Sequence, residues 1–348
     1  MSERTRAAAS VTLRDVAGRV GVTSATASMA LADNSRISAK TKDAVRKAAQ
    51  ELGYVPSSVG RALRNQRAGA VALIVPNTSQ HVFGHLYFMH VLTGISAATN
   101  ARDVKVVLST TTSEPDPDRE LAAYERVVRS RSADGAIVTS AAVTDASLEA
   151  LVTSGLPVVL IGNFPYLPDA VTVGIDDVAA SRDITDHLIE VHGRSKLVHV
   201  TGPLDHQTGI DRREGFDAAV ASRGLAADAI VIEGDFSESS GREAVEALLA
   251  REAPFDGIVF ANDDMAIGGL EALTRAGVSV PREVSIVGFD DFGLSRLTTP
   301  GITTMRAPAE DLARIATERL FSLIDGVDGG PSRIELPVQL IRRASCGC

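Results

Sequence analysis

The sequence predicts a small all-α domain followed by a larger α/β body, built from two lobes with doubly wound parallel sheets. The first 56 residues contain three segments whose apolar residues recur at helical spacing. From residue 69 onward, short β-branched apolar runs alternate with longer amphipathic segments, as in repeated βαβ units. Charge divides the chain at the same place. Residues 1–68 carry 12 Lys+Arg against 5 Asp+Glu, and the remainder carries 23 against 39.

The composition sets limits on the class of protein. At 348 residues the chain is too long for one compact core. It contains no apolar run long enough for a membrane helix and no secretory signal, so we expect a cytoplasmic protein. Cys346 and Cys348 are separated by one residue, which favours neither a structural zinc site nor a disulfide framework. We therefore predict no cofactor and no metal site, and a reducing environment.

The first two helices are predicted from their caps. Thr12 can cap a helix with Asp15 in its first turn, and Gly21 ends it. Thr23 can cap a second helix, which runs from Ser24 to about residue 31. Because Ala17 and Ala27 are small, with Gly21 between them, the two helices can cross closely through a tight turn, which indicates a helix-turn-helix motif.

A third helix and a short linker complete this end of the chain. The third helix is predicted from near Ser38 to Gly53, and Pro56 stops what precedes it. Within the hinge and linker of residues 57–68, about eight residues from Ser57 to Arg64 can then form a short helix with Val59 and Leu63 on one face. So few residues do not stay helical alone in water. Two interpretations therefore remain open, a flexible linker and a helix that forms only when it is paired with its copy on DNA.

Residues 11–64 resemble the lac repressor/purine repressor family of bacterial transcription regulators. The matching stretches are Thr12-Leu13-Arg14-Asp15-Val16-Ala17, Gly21-Val22-Thr23, Ile37-Ser38-Ala39-Lys40-Thr41 and Leu52-Gly53-Tyr54-Val55-Pro56. The resemblance implies a headpiece (1–56) whose second helix enters the major groove, and a hinge (57–68) whose leucine enters the minor groove. The residues that it implies contact DNA are Leu13, Thr23, Ser24, Ala25, Ser28, Met29, Arg36, Thr41, Ser57, Arg61 and Leu63.

Two positions depart from the family pattern. Many members carry a polar residue at the position of Ala25 and arginine or histidine at that of Met29. Neither alanine nor methionine can form the bidentate hydrogen bonds that identify a guanine or an adenine. The operator sequence therefore cannot be transferred from better-known members.

Residues 69–348 are predicted to form the two-lobed body. The predicted strands are Val71–Val75, Val104–Leu108, Gly135–Val138, Pro157–Ile161, Lys196–Val200, Ile230–Glu233, Gly257–Ala261, Val284–Gly288, Gly301–Met305 and a final one near Ile334–Ile341. We expect the chain to pass between lobes near 163–165, 291–293 and 306–330. This pattern resembles the periplasmic-binding-protein type I fold, and two lobes joined several times enclose a cleft suited to a small ligand.

Paired acids follow three predicted strands, at Asp176-Asp177, Asp263-Asp264 and Asp290-Asp291, where ligands of α/β sheets bind. An aspartate there is often only a helix cap, which we expect for Asp177, Asp263 and Asp264. The segments Ala261-Asn262-Asp263-Asp264 and Gly288-Phe289-Asp290 match family motifs, and the resemblance implies that Arg212 and Phe236 share their cleft. The effector-binding residues predicted in this way are Phe83, Asn163, Asp176, Arg212, Phe236, Asn262 and Asp290.

Other functions are less consistent with the sequence. Paired carboxylates could indicate a glycosidase, but nothing assigns two of them as acid and nucleophile, and a basic headpiece would be unexplained. A transport-type binding protein would need a signal peptide and no headpiece. His81 with His85, and His187 with His192, are interpreted as surface or supporting residues and not as metal ligands. We predict a non-enzymatic repressor that binds a pseudopalindromic operator as a homodimer and responds to a sugar. An activator, or a response to a nucleobase or a protein partner, stays open.

Overall fold

The computed structural model describes residues 11–54, 67–111, 124–125, 127–143, 146–251, 254–327 and 329–348. The chain divides into two compact units, Met1–Ala68 and Gly69–Cys348. The helices are α1 Leu13–Val20, α2 Ser24–Leu31, α3 Ala39–Leu52, α4 Ser79–Gly84, α5 Leu86–Asn100, α6 Ala146–Val152, α7 Asp177–Glu190, α8 Gln207–Ser222, α9 Glu238–Ala250, α10 Asp263–Arg275 and α11 Ala309–Ile324. The strands are β1 Ala70–Thr78, β2 Lys105–Thr111, β3 Ala136–Thr139, β4 Val158–Ile161, β5 Thr172–Gly174, β6 Leu197–Thr201, β7 Ile230–Glu233, β8 Gly257–Phe260, β9 Ser285–Asp290, β10 Thr303–Arg306, β11 Arg333–Glu335 and β12 Gln339–Ile341.

The first unit contains α1, α2 and α3 around a small core. The Asp15 carboxylate accepts a hydrogen bond from the Thr12 amide at 2.8 Å at the start of α1. Thr23 accepts from the amide of residue 26 at 3.1 Å at the start of α2, and Ser38 caps α3 in the same way. The core is made of small and β-branched side chains, Val16, Ala17, Ala27, Ala30, Val45, Ala48 and Ala49. Small residues let the short helices cross closely, so the predicted helix-turn-helix packing is confirmed.

The second unit contains two six-stranded sheets. Lobe 1 has the strand order β11-β5-β4-β3-β1-β2, and lobe 2 has the order β12-β10-β9-β8-β6-β7. All pairings are parallel except that of β12 with β10. The central strands are buried along their length, as expected for parallel sheets covered by helices on both faces. The predicted fold class, a helical headpiece with a doubly wound two-lobed body, is confirmed.

Two of the three crossovers between lobes that we predicted are wrong. Residues 163–165 lead into β5, which stays in the sheet of lobe 1, so the first crossover comes later, at residues 175–176. Residues 291–293 are not a crossover, because β9 and β10 pair within lobe 2. The chain crosses at 307–308, inside the third predicted region, and again at 336–338. β5 has only three residues, too few for its pattern to identify a strand.

The predicted final strand near 334–341 is two strands in two sheets. β11 pairs with β5 in lobe 1, and β12 pairs with β10 in lobe 2. Pro337 lies between them and has no amide hydrogen to donate to a ladder. The interruption is the third crossover, so the chain passes between the lobes three times.

Candidate functional site

One face of α2 is the candidate nucleic-acid interface. Ser24 and Ala25 are exposed, and Ser28 and Met29, one turn later, are half-buried. The opposite face of the helix carries Ala27, which is fully buried against the headpiece core. The four predicted base-contacting residues therefore lie together on the face of α2 that points away from the headpiece core.

The other predicted DNA-contacting residues are distributed around this helix. Thr23 is exposed and caps α2, so its hydroxyl already accepts a backbone hydrogen bond. Arg36 is exposed in the loop before α3, and the Thr41 hydroxyl lies 2.9 Å from that of Ser38 in the first turn of α3. Leu13 is half-buried and packs against the headpiece core. Ser57, Arg61 and Leu63 lie outside the described residues.

A cavity of about 140 Å³ lies between the two lobes of the body. Its lining alternates apolar walls, such as Phe88, Phe164 and Leu312, with a few polar groups, as ligand pockets do. A water molecule needs about 10–15 Å³ of such a cavity, so the cavity has room for on the order of ten water-sized groups. A monosaccharide has about that size. Among the described lining residues, Arg212 carries the only guanidinium or ammonium group.

Arg212 is the centre of the polar network in the cavity. Its Nε donates to Asp177 Oδ1 at 2.8 Å, and its Nη1 donates to the Ala261 carbonyl at 2.5 Å. Nη1 also lies 3.4 Å from Asp290 Oδ1, and the guanidinium carbon lies 3.6 Å from the centre of the Phe289 ring. Among the described residues none accepts a hydrogen bond from Nη2. A buried, oriented guanidinium with one unused nitrogen is suited to hold an oxygen-rich ligand.

Asp290 reaches the cavity because the backbone turns sharply at the end of β9. Asp290 and Asp291 have φ values of 110° and 58°, which non-glycine residues rarely adopt. The turn is held by Asp263, whose carboxylate accepts from the Asp291 amide at 3.0 Å, and by ion pairs of Asp291 with Arg306 and Arg343. Backbone strain that the surroundings maintain in this way is typical of ligand sites.

Two buried carboxylates share the single guanidinium, so burial and Arg212 act in opposite directions on their pKa values. Burial raises the pKa of Asp290 well above its usual value, and Asp263 and Asp264 add to that effect while Arg212 opposes it. Burial also raises the pKa of Asp177, which the closer contact with Arg212 offsets in part. Because Asp290 is the more distant partner of Arg212, the neutral acid is favoured there before it is at Asp177.

Asn262 and Phe236 are positioned by one hydrogen-bonded unit. Asn262 caps α10 by accepting from the Met265 amide at 3.0 Å, and its Nδ2 donates to the Phe236 carbonyl at 2.9 Å. Phe236 has a φ of 68°, and its ring lies against Gly202, where any Cβ would approach the ring to 2.0 Å. Gly202 is therefore needed for the ring to occupy this wall of the cavity. Asn262 keeps one amide hydrogen for a ligand.

Asn163 lies at the lobe interface, where its Nδ2 donates to Asp211 Oδ2 at 3.0 Å. Asp211 also accepts from Gln207 at 2.6 Å and is almost fully buried. This links the end of β4 in lobe 1 to α8 in lobe 2. The structure thus brings five predicted effector residues to the cavity wall, Asn163, Arg212, Phe236, Asn262 and Asp290.

Phe83 and Asp176 lie elsewhere, contrary to our prediction. Phe83 is 61% exposed on α4, because its neighbour Val82 takes the core side of that helix. Asp176 caps α7 by accepting from the amide of residue 179 at 2.9 Å. The roles of the two acids are therefore the reverse of those expected, since Asp177 faces Arg212 and Asp176 is the cap.

Some cavity residues were not predicted from the sequence. The Tyr87 hydroxyl lies 2.8 Å from that of Thr139, and burial raises the pKa of Tyr87 to about 12, so its phenol stays neutral. Gln207 begins α8, one helical turn before Asp211. Gln207 lies in the loop-to-helix region after a predicted strand, and that position is the signal that could have identified it, whereas Tyr87 lies in the second helix after β1 and has no such signal.

A helix-turn-helix domain attached to a two-lobed α/β body with a ligand-sized cavity defines a ligand-responsive DNA-binding protein. None of the described helices has the length and apolar character needed to span a bilayer. Residues 12–57 match the bacterial regulatory proteins of the lacI family, and residues 185–346 match the periplasmic binding protein-like domain.

The similarity to individual relatives extends over nearly the whole chain. The HTH-type transcriptional regulator CelR of Thermobifida fusca is 31% identical, over 96% of this chain and 98% of its own length. AscG of Escherichia coli K12, also an HTH-type transcriptional regulator, is 30% identical over 96% of this chain and 98% of its own. The protein therefore belongs to the lacI family of bacterial transcription regulators.

Two solved structures show the same architecture. The lac repressor dimer bound to operator and the anti-inducer ONPF has a TM-score of 0.86 at 25% identity, over 97% of this chain and 99% of that one. A CelR–cellobiose complex has a TM-score of 0.72 at 29% identity, over 96% and 99% of the two chains. The predicted family and the function of transcription regulator are confirmed.

Proposed function

We propose that the protein is a repressor that binds a pseudopalindromic operator as a homodimer and is controlled by a neutral sugar in the cavity of the body. The main supporting observation is the Arg212 guanidinium, buried with one unused nitrogen beside the Asp290 carboxyl. Sugar hydroxyls both donate and accept hydrogen bonds, so they can satisfy both groups at once. The Phe236 ring offers an apolar wall for the flat face of a sugar ring.

The charge of the cavity favours a neutral ligand over an anionic one. Asp177 and Asp290 face a single guanidinium, so the lining holds more carboxyl groups than cations. A phosphate or carboxylate on the ligand would lie beside two acids in a poorly solvated space, which costs free energy. A solved structure similar to this chain is a complex of the transcriptional regulator CelR with cellobiose, a neutral sugar. We therefore assign a neutral sugar to this cavity.

On the DNA side, we assign base contacts to Ser24, Ala25, Ser28 and Met29. Met29 and Ala25 can contact thymine methyl groups but cannot form bidentate hydrogen bonds to purines. We expect A·T pairs at the base steps they reach, and the exposed Arg36 to contact the backbone or a neighbouring base. Selection of operators from random DNA with the purified protein measures this preference directly.

Thermal shift and titration calorimetry test the effector. The panel contains neutral mono- and disaccharides, their phosphate esters, and nucleosides, each measured on the wild type and on Asp290→Ala. We expect a neutral sugar to stabilise the wild type, its phosphate ester to have no effect, and Asp290→Ala to respond weakly. Fluorescence anisotropy on the selected operator then shows whether the sugar changes DNA affinity. Stabilisation by a nucleoside alone, or an equal response of Asp290→Ala, would overturn the assignment.

A further inference from the structure

Four potential metal ligands from two distant parts of the sequence meet in lobe 2. His187 lies in the last turn of α7 and His192 in the loop that follows, while Cys346 and Cys348 end the chain. One atom from each, two imidazole nitrogens and two sulfurs, lies within 4.8 Å of all the others. Cys346 and His187 are buried, His192 is half-buried and Cys348 is exposed.

Four of the six separations between these atoms match tetrahedral coordination, and the other two are within 4.8 Å. The Cys346 sulfur lies 3.6 Å from His187 Nε2, and the Cys348 sulfur lies 3.4 Å from the Nε2 atoms of both His187 and His192. The two Nε2 atoms are 3.2 Å apart. Bond lengths of about 2.3 Å to sulfur and about 2.05 Å to nitrogen put tetrahedral zinc ligands about 3.5 Å apart for S–N pairs and about 3.3 Å apart for N–N pairs. We propose that these four side chains form a Cys₂His₂ site for Zn²⁺.

The backbone is arranged to present both sulfurs to the same point. Gly347, between the two cysteines, has a φ of 107°, and a Cβ there would lie 3.3 Å from His192 Nδ1. This conformation favours glycine and lets alternate side chains of a short segment converge. Four residues separate the two histidines in sequence, which is within the usual spacing for zinc-binding pairs. The single residue between the cysteines disfavoured a metal in the sequence, because spacing alone did not reveal the histidines beside them.

The tail is fixed in place, so the site is preformed. The Ser345 hydroxyl accepts from the Thr303 amide at 2.8 Å and donates to the Ile286 carbonyl at 2.7 Å. The Cys346 carbonyl accepts from the Ser285 hydroxyl at 3.0 Å, and the Thr303 hydroxyl lies 3.0 Å from the Cys346 sulfur. The Thr303 hydroxyl donates to the Arg343 carbonyl at 2.8 Å, which fixes it beside the sulfur, and outer contacts of this kind orient metal ligands and tune their affinity.

The ligand set indicates the kind of metal and its role. Two thiolates and two imidazoles in a tetrahedron are typical of zinc, and four protein ligands leave no open position for a substrate. The site is therefore structural, and it ties the C-terminal segment to α7. That helix begins at Asp177, the close partner of Arg212. At 1.5 Å per residue, Asp177 lies about 15 Å along the helix axis from His187. The metal holds one end of the helix whose other end lines the cavity.

The test uses the full chain, without a histidine tag and purified under reducing, anaerobic conditions. Zinc content is measured by elemental mass spectrometry after dialysis, and affinity by competition with a chromophoric chelator. We expect one zinc per chain in the wild type. Cys348→Ser and His192→Gln change exposed or half-buried groups, so both variants should stay folded by circular dichroism. His90→Gln, at a half-buried histidine of lobe 1, is the matched control.

The variants should lose zinc while the control keeps it. We expect affinity to fall by more than about 100-fold in Cys348→Ser and His192→Gln, because changes even outside the ligand shell cost about 10–100-fold. The Co²⁺-loaded wild type should show intense tetrahedral d–d bands and a thiolate-to-cobalt charge-transfer band, which weakens in Cys348→Ser.

Three results would overturn the proposal. They are a reduced wild type that binds no zinc, unchanged zinc affinity in both variants, and a Cys346–Cys348 disulfide in protein isolated anaerobically. None of these measurements depends on operator or sugar binding.

Discussion

The two acids beside Arg212 should respond differently to removal. Asp177 accepts the Nε hydrogen bond at 2.8 Å, and its side chain is 6% exposed. Asp177→Ala leaves a buried cation without its close partner, which costs about 3–5 kcal/mol in the free energy of unfolding. Asp290 lies farther away, and without it Nη1 keeps its bond to the Ala261 carbonyl. We expect Asp290→Ala to cost about 1 kcal/mol or less.

Asp290→Ala, which should change stability little, should reduce the affinity for the effector. If Asp290 accepts a sugar hydroxyl, its removal leaves that hydroxyl buried without an acceptor, at a cost of about 1–3 kcal/mol. This corresponds to a dissociation constant about 5- to 150-fold larger. Asp290→Ala should therefore be stable but weak in binding.

Thermal unfolding followed by far-ultraviolet circular dichroism measures the first effect, since the chain has no tryptophan. At about 2 °C or more for each kcal/mol in a body of this size, Asp177→Ala should lower Tm by about 6 °C or more. Calorimetry with the sugar found in the panel measures the second effect. Equal losses of Tm in the two variants, or unchanged sugar affinity in Asp290→Ala, would refute this account of the cavity.

Three further predictions concern the headpiece, the hinge and the core. Removing residues 1–68 should abolish operator binding and leave a folded body, and specific binding by the truncated chain would contradict this. In the intact protein, operator affinity should fall steeply with salt, because about 0.9 counterions are released for each phosphate contact. Gly60→Ala should tighten operator binding by up to about 30-fold, since alanine favours a helix by about 1 kcal/mol in each of two hinges, and Leu63→Ala should weaken it; equal anisotropy titrations would indicate a passive tether. Burial lowers the pKa of His199 to about 4, so its contribution to stability is complete above about pH 6.5 and is lost as pH falls towards 4. Denaturant titrations measure the free energy of unfolding of wild type and His199→Leu. As pH falls from about 6.5 to 4, the wild type should lose up to about 3 kcal/mol relative to the variant, and a constant difference would exclude this role.

The headpiece could be predicted closely because local interactions determine it. Thr12 and Thr23 are the N-caps of α1 and α2 as the sequence indicated, α3 begins directly after Ser38, and each helix ends within a residue or two of its predicted end. Capping groups and the residues they satisfy lie three positions apart, so a short stretch of sequence contains the whole interaction. The strands of the body were predicted for a similar reason, since burial on both faces leaves a continuous apolar run.

The connections between lobes depended on tertiary structure. The three-residue strand β5 is recognisable only beside β4 and β11, which it pairs with. At 334–341 the pattern was read as one strand, although the chain changes sheet at Pro337. A period-two pattern reports burial and does not identify the sheet that buries it.

The site shows the same division between local and distant information. Family motifs identified Arg212, Asn262 and Asp290, because those segments are contiguous in sequence. The exchange of roles between Asp176 and Asp177 was decided by α8, which places Arg212 beside the second acid. Likewise, the two cysteines became candidate metal ligands only when β10 and α7 set the tail beside two histidines more than 150 positions earlier. A site formed by residues far apart in sequence is determined by the tertiary packing that brings them together. Caps, turns and strand patterns are determined by residues that are neighbours in sequence.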